Sequence, residues 1–378
     1  MVLQIKHSGN TLEVDLDVVR SNVNYFRSKL KRKTKVMVFI ESRCYTGVET
    51  DIAELLEDMN VDYIAVTSVK EGCLMRSHGI KVPIVVTHVE NAMQNLDKMS
   101  TEQLEPVVRS LTMLSKVVTF AKETCKTMNI HLEIDTGGKL KGISKSDLGS
   151  VIEMLSTCAE NLSIRSVFSE LSKQVSPQEQ GETTMEEVSS FIHTACRLEQ
   201  ELDVKTLKHL VGNNEILSLP AFHYDMVRLY VGLLGVGVDQ KHDRRVEEAI
   251  SFKSTVSQLR SIPRGSMIPG EQNTFASSDM DVAVVKVGYG DGFRRCLGEG
   301  VGYVLVNRHL ARTVGKICRE TTMIDVTGMI VDVDDEVTIF GKMLSLRNVA
   351  NAAGTIPEEI LCGINERVKR VCYTTFDV

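Results

Sequence analysis

Nowhere in this 378-residue sequence do about 20 apolar residues run together, so no segment reads as a membrane-spanning helix. No block of a single charge sign stands out. Lys and Arg number 44, Asp and Glu 50, and the two signs are interspersed to a net charge of −6. Such a mixture lacks the electrostatic footprint of a nucleic-acid or anionic-membrane binder. Nine cysteines (Cys44, Cys73, Cys125, Cys158, Cys196, Cys296, Cys318, Cys362 and Cys372) are scattered, odd in number and free of any C-x-x-C pair. That spacing argues against a zinc site or a disulfide framework and fits reduced thiols, so a cytoplasmic location is the expectation. The histidines form no H-x-H or H-x-x-x-H pair, and no metal site is predicted. The opening Met-Val-Leu-Gln-Ile-Lys-His lacks a signal-peptide pattern. Internal repeats and low-complexity tracts are missing too.

What is present divides in two. Up to about Asp239, short apolar runs alternate with longer amphipathic stretches. The runs are Val36 to Ile40, Tyr63 to Val66, Pro83 to Val86, Leu104 to Val108, His131 to Ile134, Ile164 to Phe168, Leu207 to Val211 and Val227 to Leu234. Helical patterns cover Asp17 to Leu30, Val48 to Met59, Leu111 to Met128, Lys145 to Leu155 and Thr183 to Leu202, with Asp17 and Ser144 as expected N-caps. Continuous Val/Ile-rich strands separated by helices imply a parallel sheet covered on both faces. About eight such units match the count of a (β/α)8 TIM barrel. From Lys241 onward, short alternating runs separated by Gly, Asn and Asp predict a mainly β domain, followed by a helix from Ser345 to Ala353. The expected architecture is therefore α/β: a barrel over 1–240 and a β-rich domain over 241–378, with the first residues open to either. Ser176 to Glu182, rich in Gln, Pro and Gly, reads as a surface loop.

Several motifs carry a family resemblance. Val36 to Gly47 is similar to the start of the alanine racemase barrel, where the strand ends in Lys-Ala-x-x-Tyr-Gly-x-Gly. His131-Leu132-Glu133-Ile134-Asp135-Thr136-Gly137 resembles H-x-K-x-D-T-G. Phe222 to Gly235, containing Asp225-Met226-Val227-Arg228, resembles F-D-M-V-R-x-G. Val287 to Gly292 resembles G-Y-A-D-G, and two further segments, Val314 to Thr327 and Gly354 to Cys362, match in family order. The resemblance spans nearly the whole chain. It implies the barrel-plus-β-domain fold, pyridoxal phosphate as the family cofactor, and a homodimer in which each β domain covers the partner's barrel mouth.

The departures fall where the family's chemistry sits. Glu41 replaces the lysine that holds pyridoxal phosphate, and Gly270 (or Pro269) stands where the family has its opposing catalytic tyrosine. Among family-equivalent cofactor positions, Tyr45 and Arg228 are kept. Asn214, after Asn213, replaces a phosphate-binding serine, Tyr230 a glycine and Glu358 a tyrosine. Val167 takes the place of a histidine, Leu140 that of an arginine flanked here by Lys139 and Lys141, and Arg319-Glu320 that of Met-Asp. Arg295, near the family's substrate entrance, is retained.

A carboxylate cannot form an imine, and two-base racemisation needs an acidified α-proton with a base on each face. Glu358 would set an anion beside a phosphate, which costs about 1 kcal/mol or more even at high dielectric. No catalytic residue and no cofactor are therefore predicted. The expectation is an alanine-racemase-like pseudoenzyme with a binding or scaffold role, homodimeric, its partner a small amino-acid-like ligand, with neither nucleic acid nor membrane involved. The alternative is a pyridoxal-phosphate racemase of weak or altered activity, or a barrel enzyme with new acid/base residues. In detail, Glu41 is expected to pair with Arg228 or Arg43, Glu133 with Lys139 or Lys141, and Tyr230 to fill the old cofactor space. His88 is expected to be a solvated mouth residue and His209 a satisfied core histidine.

Overall fold

The computed structural model describes residues 9–40, 47–89, 92–137, 141–158, 160–171, 182–237, 245–268 and 275–374, the side chains of 92–94, 182, 183 and 214 excepted. Two compact units emerge: Asn24–Ser42 with Glu49–Tyr230, and Met1–Val23 with Arg43–Val48 and Val231–Val378.

The first unit is a closed barrel. Its strands are β2 (Lys35–Phe39), β3 (Tyr63–Val66), β4 (Ile84–Val86), β5 (Leu104–Val108), β6 (Met128–Glu133), β7 (Leu162–Phe168), β8 (Leu207–Gly212) and β9 (Met226–Leu229), with β1 (Thr11–Asp15) lying in the other sheet. All neighbours pair in parallel, and β2 against β9 closes the circle, Met37 opposite Arg228. Helices cover the outside, so strands such as β3 and β4 are buried along their whole length and read as unbroken apolar runs. Alternation sends Met37, Phe39, Tyr63, Val107, Phe168 and Met226 into one interior cluster.

In the second unit, β10 (Ile250–Ile262), β11 (Met280–Val285), β12 (Tyr303–Val306), β13 (His309–Val314), β14 (Thr322–Asp325), β15 (Glu336–Phe340) and β16 (Lys369–Tyr373) join β1 in the order β11-β14-β13-β12-β15-β10-β1-β16. β10 is long enough to bend: its first half pairs with β15 and its second half, past a bulge at Val256/Gln258, with β11. Among the described residues, these strands thus close on themselves, while β1 and β16 extend from β10. Asn307 (φ 48°) and Arg308 (φ 66°) make the two-residue β12–β13 turn, whose left-handed geometry suits the strand twist. The Asn307 amide donates to Ile330 O at 3.0 Å and Asp335 Oδ2 at 2.8 Å, which fixes it.

Several local expectations are corrected. Asp15, not Asp17, caps the helix Leu16–Ser28, accepting from Asp17 N and Val18 N at 3.1 Å. Ser144 caps only a turn, accepting from Asp147 N at 3.2 Å, and the helix begins at Leu148. The run Leu111 to Met128 is two elements: the helix ends at Thr124, where Cys125 turns left-handed (φ 54°), and Met128 starts β6. Val227 to Leu234 also divides, with β9 ending at Leu229 and a 3-10 turn over Val231–Leu234. Among the described residues four helices escaped the periodicity reading: Val69–Ser77, Ala92–Thr101, Asn213–Ser218 and Pro357–Cys362. The first is announced by a capping box in which Ser68 and Glu71 exchange hydrogen bonds.

Candidate ligand site at the barrel mouth

The C-terminal ends of the barrel strands bring Arg109, Glu133, Phe168, Gly212, Arg228 and Tyr230 together in the first unit. Strand register explains part of this. Val107 and Val108 lie opposite His131 and Leu132, so Arg109 follows beside Glu133. Glu133 is opposite Phe168, and Phe168 opposite His209.

Arg228 is 2% exposed. One terminal nitrogen, Nη2, donates to Ser169 O at 2.8 Å and Leu210 O at 2.9 Å, and the guanidinium lies 5.2 Å from the Phe168 ring centre. Its Nε and Nη1 have no hydrogen-bond partner among the described residues. Buried polar groups left unpaired are costly, by roughly 1–3 kcal/mol each, and mark a place where the barrel invites a polar occupant.

Tyr230 closes the adjoining space. Its ring sits 4.4 Å from that of Phe39, and its hydroxyl donates to Glu170 Oε1 at 3.4 Å. A Cβ added to Gly212 would meet Tyr230 Cε2 at 2.7 Å, so the phenol ring lies directly on the Gly212 backbone where the helix Asn213–Ser218 begins. Asn213 Oδ1 accepts the Tyr230 backbone N–H at 2.9 Å and locks the arrangement. Asn214 belongs to that short helix. In the second unit, Glu358 opens the helix Pro357–Cys362, and a Cβ on Gly237 would meet its Oε1 at 2.6 Å.

Glu133 differs from expectation. Its carboxylate accepts from Arg109 Nε at 2.6 Å rather than from Lys141, and Lys139 lies outside the described residues. The register already brings Arg109 alongside, whereas Lys141 is on the solvent side of its turn. Sequence reasoning missed Arg109, although its spacing from Glu105 and Val107 puts all three on one strand face.

Beneath the mouth lies a second feature that was not foreseen. Glu105 accepts from Asn129 Nδ2 at 2.7 Å and meets His131 Nε2 at 2.8 Å. His131 Nδ1 is 2.6 Å from Ser166 Oγ, which is 3.0 Å from His209 Nε2. His209 is a core histidine, 1% exposed and stacked on Phe168 at 4.7 Å, but it is only half satisfied because Nδ1 has no partner among the described residues. Burial, then the Arg228 charge, holds its imidazole well below the ordinary value, so it is neutral at pH 7. For Glu105, burial pushes the carboxyl up, but the hydrogen bonds of His131 and Asn129 and the charge of Arg165 outweigh it and the net shift is downward. Tyr63, edge-on to His131 at 5.7 Å, is raised by burial and by the Glu105 charge. His88 is exposed, its Nδ1 3.1 Å from Thr87 Oγ1. Glu41, Tyr45, Pro269, Gly270, Lys139, Leu140 and the stretch 172–181 lie outside the described residues, as does the Glu41 pairing. Among the described residues no cluster of three His, Cys, Asp or Glu side chains is arranged for a metal ion, and no helix is long and apolar enough to cross a membrane.

A parallel (β/α)8 barrel with polar strand ends, joined to an antiparallel β domain, defines the class. Residues 14–238 match the alanine racemase N-terminal domain and residues 249–372 the alanine racemase C-terminal domain, so the chain belongs to the alanine racemase family. It is similar to alanine racemase 2 of Caldanaerobacter subterraneus subsp. tengcongensis, 29% identical over 371 residues that cover 95% of this chain and 94% of that protein. The alanine racemase of Methanococcus maripaludis is 27% identical over 371 residues, with coverage of 95% and 97%. Among solved structures, alanine racemase of Clostridium difficile 630 superposes with a TM-score of 0.87 at 25% identity, covering 98% of this chain and 97% of that one.

Proposed function

We propose that this chain is a pseudoenzyme of the alanine racemase family, whose barrel mouth serves binding or scaffolding in place of pyridoxal phosphate chemistry. The observation that carries the reading is Tyr230, seated on Gly212 and against Phe39 in the space next to the buried Arg228. The described residues do not fit pyridoxal phosphate. The phenol ring takes the room at the head of the helix Asn213–Ser218, and Glu358 offers a carboxylate where the family places a phosphate-binding hydroxyl. Glu41 in the lysine position and Gly270 in the tyrosine position point the same way from sequence. The occupant best matched to Arg228 is a small amino-acid-like molecule that presents an anionic or carbonyl oxygen to its open N–H groups. We further infer a homodimer, from family membership.

Absorbance of the purified chain with and without added pyridoxal phosphate, followed by borohydride reduction and mass analysis, tests the reading. The expected result is no aldimine-like band and no reduced lysine adduct. A band with an adduct on any lysine overturns it and restores the racemase alternative.

A further inference from the structure

A line of hydrogen bonds crosses the barrel interior. At the base, a cavity of about 260 Å³ opens beside the N-terminal ends of β4, β5 and β6, and Glu105 and Asn129 form part of its wall. From Glu105 the line runs through His131 (2.8 Å) and Ser166 (2.6 Å) to His209 (3.0 Å). All four side chains are buried, Glu105 the most exposed at 7%. The far end, His209 Nδ1, stands without a partner among the described residues in the layer of Phe168 and Met226, and two residues farther along β9 the Nε and Nη1 of Arg228 are also open. Apolar residues of similar volume fill such a core at no desolvation cost. A polar line joining a cavity to an open nitrogen therefore calls for a role beyond packing.

We propose that Glu105, His131, Ser166 and His209 form a proton relay from the barrel mouth to the cavity at the barrel base. At rest both imidazoles are neutral and carry their proton on Nε2. His131 donates to the Glu105 carboxylate, Ser166 donates to His131 Nδ1, and His209 donates to Ser166 Oγ, leaving the His209 Nδ1 lone pair free. A ligand that loses a proton beside the Arg228 guanidinium gives it to His209 Nδ1. The Nε2 proton of His209 then passes to Ser166 Oγ, the Ser166 proton to His131 Nδ1, and the Nε2 proton of His131 to Glu105. Glu105 hands a proton to water in the base cavity and is a carboxylate again. One proton has then moved from mouth to base and both imidazoles are left carrying their proton on Nδ1, so the line delivers one proton per turn and is reset when the rings reorient.

The surroundings favour that direction. Burial and the Arg228 charge disfavour a proton resting on His209, while the hydrogen bonds from His131 and Asn129 and the charge of Arg165 outweigh burial at Glu105 and keep it ready to release. Donor–acceptor distances of 2.6 to 3.0 Å lie in the range for direct transfer. The kind of ligand served is a weak acid whose anion Arg228 stabilises. The relay stands whether or not pyridoxal phosphate binds.

Nitrogen-15 NMR of the imidazole rings in the full chain tests it. The expected state at pH 7 is a neutral Nε2–H tautomer for both His131 and His209. Glu105→Gln should shift the ring nitrogens of His131 and, through Ser166, those of His209. In a Ser166→Ala background the His209 response should vanish, and Ser166→Thr, which keeps the hydroxyl, should return it. A His209 that ignores Glu105→Gln while His131 responds overturns the relay. Where Glu105→Gln does not fold, the unmodified chain decides: a His209 carrying its proton on Nδ1 at rest has no site to accept a proton and overturns it equally.

Discussion

Tyr230 and Gly212 make sense only as a pair. Any residue larger than glycine at position 212 would drive its Cβ into the phenol ring at 2.7 Å, and any residue smaller than tyrosine at 230 would leave a hole against Phe39. Tyr230→Ala should cost roughly 2–3 kcal/mol in chemical denaturation, near the lower bound for emptying an aromatic site because the side chain is only partly buried. Combined Tyr230→Gly and Glu358→Tyr should instead raise affinity for pyridoxal phosphate over the parent in calorimetry. No gain would argue that these two positions are not equivalent to the family's phosphate ligands. Arg109 and Glu133 form a second such pair, 29% and 5% exposed. Glu133→Gln should cost on the order of 1–2 kcal/mol, since a charge-assisted bond is lost while the half-exposed Arg109 turns to water. A variant as stable as the parent would show that the pair is not formed in solution.

At the scale of elements, the strands were legible because a parallel barrel buries both faces and writes each strand as an apolar run. Tyr63–Val66 and Leu104–Val108 match their predicted bounds to the residue. Exceptions inside the runs held the site: a lone Glu105 in Leu104 to Val108, with Asn129, His131 and Glu133 alternating on β6, signals one polar interior face. Caps were harder to read. Asp15 lies two residues before the predicted cap because β1 runs directly into the helix and only its last residue can fold back. The segment after β6 depends on Gly142, with φ +103° and backbone atoms of residues 133–135 at 2.8 Å from any added Cβ. Gly142→Ala should therefore destabilise by more than about 1 kcal/mol and disturb the Ile134–Ile143 bridge. Amide exchange at Ile143, whose N–H donates to Glu133 O at 2.7 Å, would report it, and unchanged protection would contradict the close packing.

For the whole molecule, pH and assembly are the accessible observables. Burial pushes the Glu248 carboxyl up to about 7, against the Leu346 N–H it accepts at 3.1 Å and the charge of Arg347. A folded value above the unfolded one means that the folded state holds the proton more tightly. Its contribution to stability is therefore full below about 4.5, the ordinary value, and is lost as pH rises through about 7. Unfolding free energy should fall across that window, and Glu248→Gln should flatten the fall. An unaltered slope in the variant would assign it to other groups. Sedimentation velocity should find a dimer at micromolar concentration, and a persistent monomer would remove the inference from family membership.

By itself the sequence determined the barrel, the β domain and the family to which the chain belongs. Those are local properties: strand runs, turn residues and residue types at motif positions. Only the tertiary structure decided which polar groups meet. Arg109 reaches Glu133 from the neighbouring strand, Tyr230 lies on Gly212 from just past the end of the neighbouring strand, and four residues on four strands line up through the barrel interior. Register and barrel closure make those contacts, and both depend on the pairing of distant segments, which no local pattern of residues specifies.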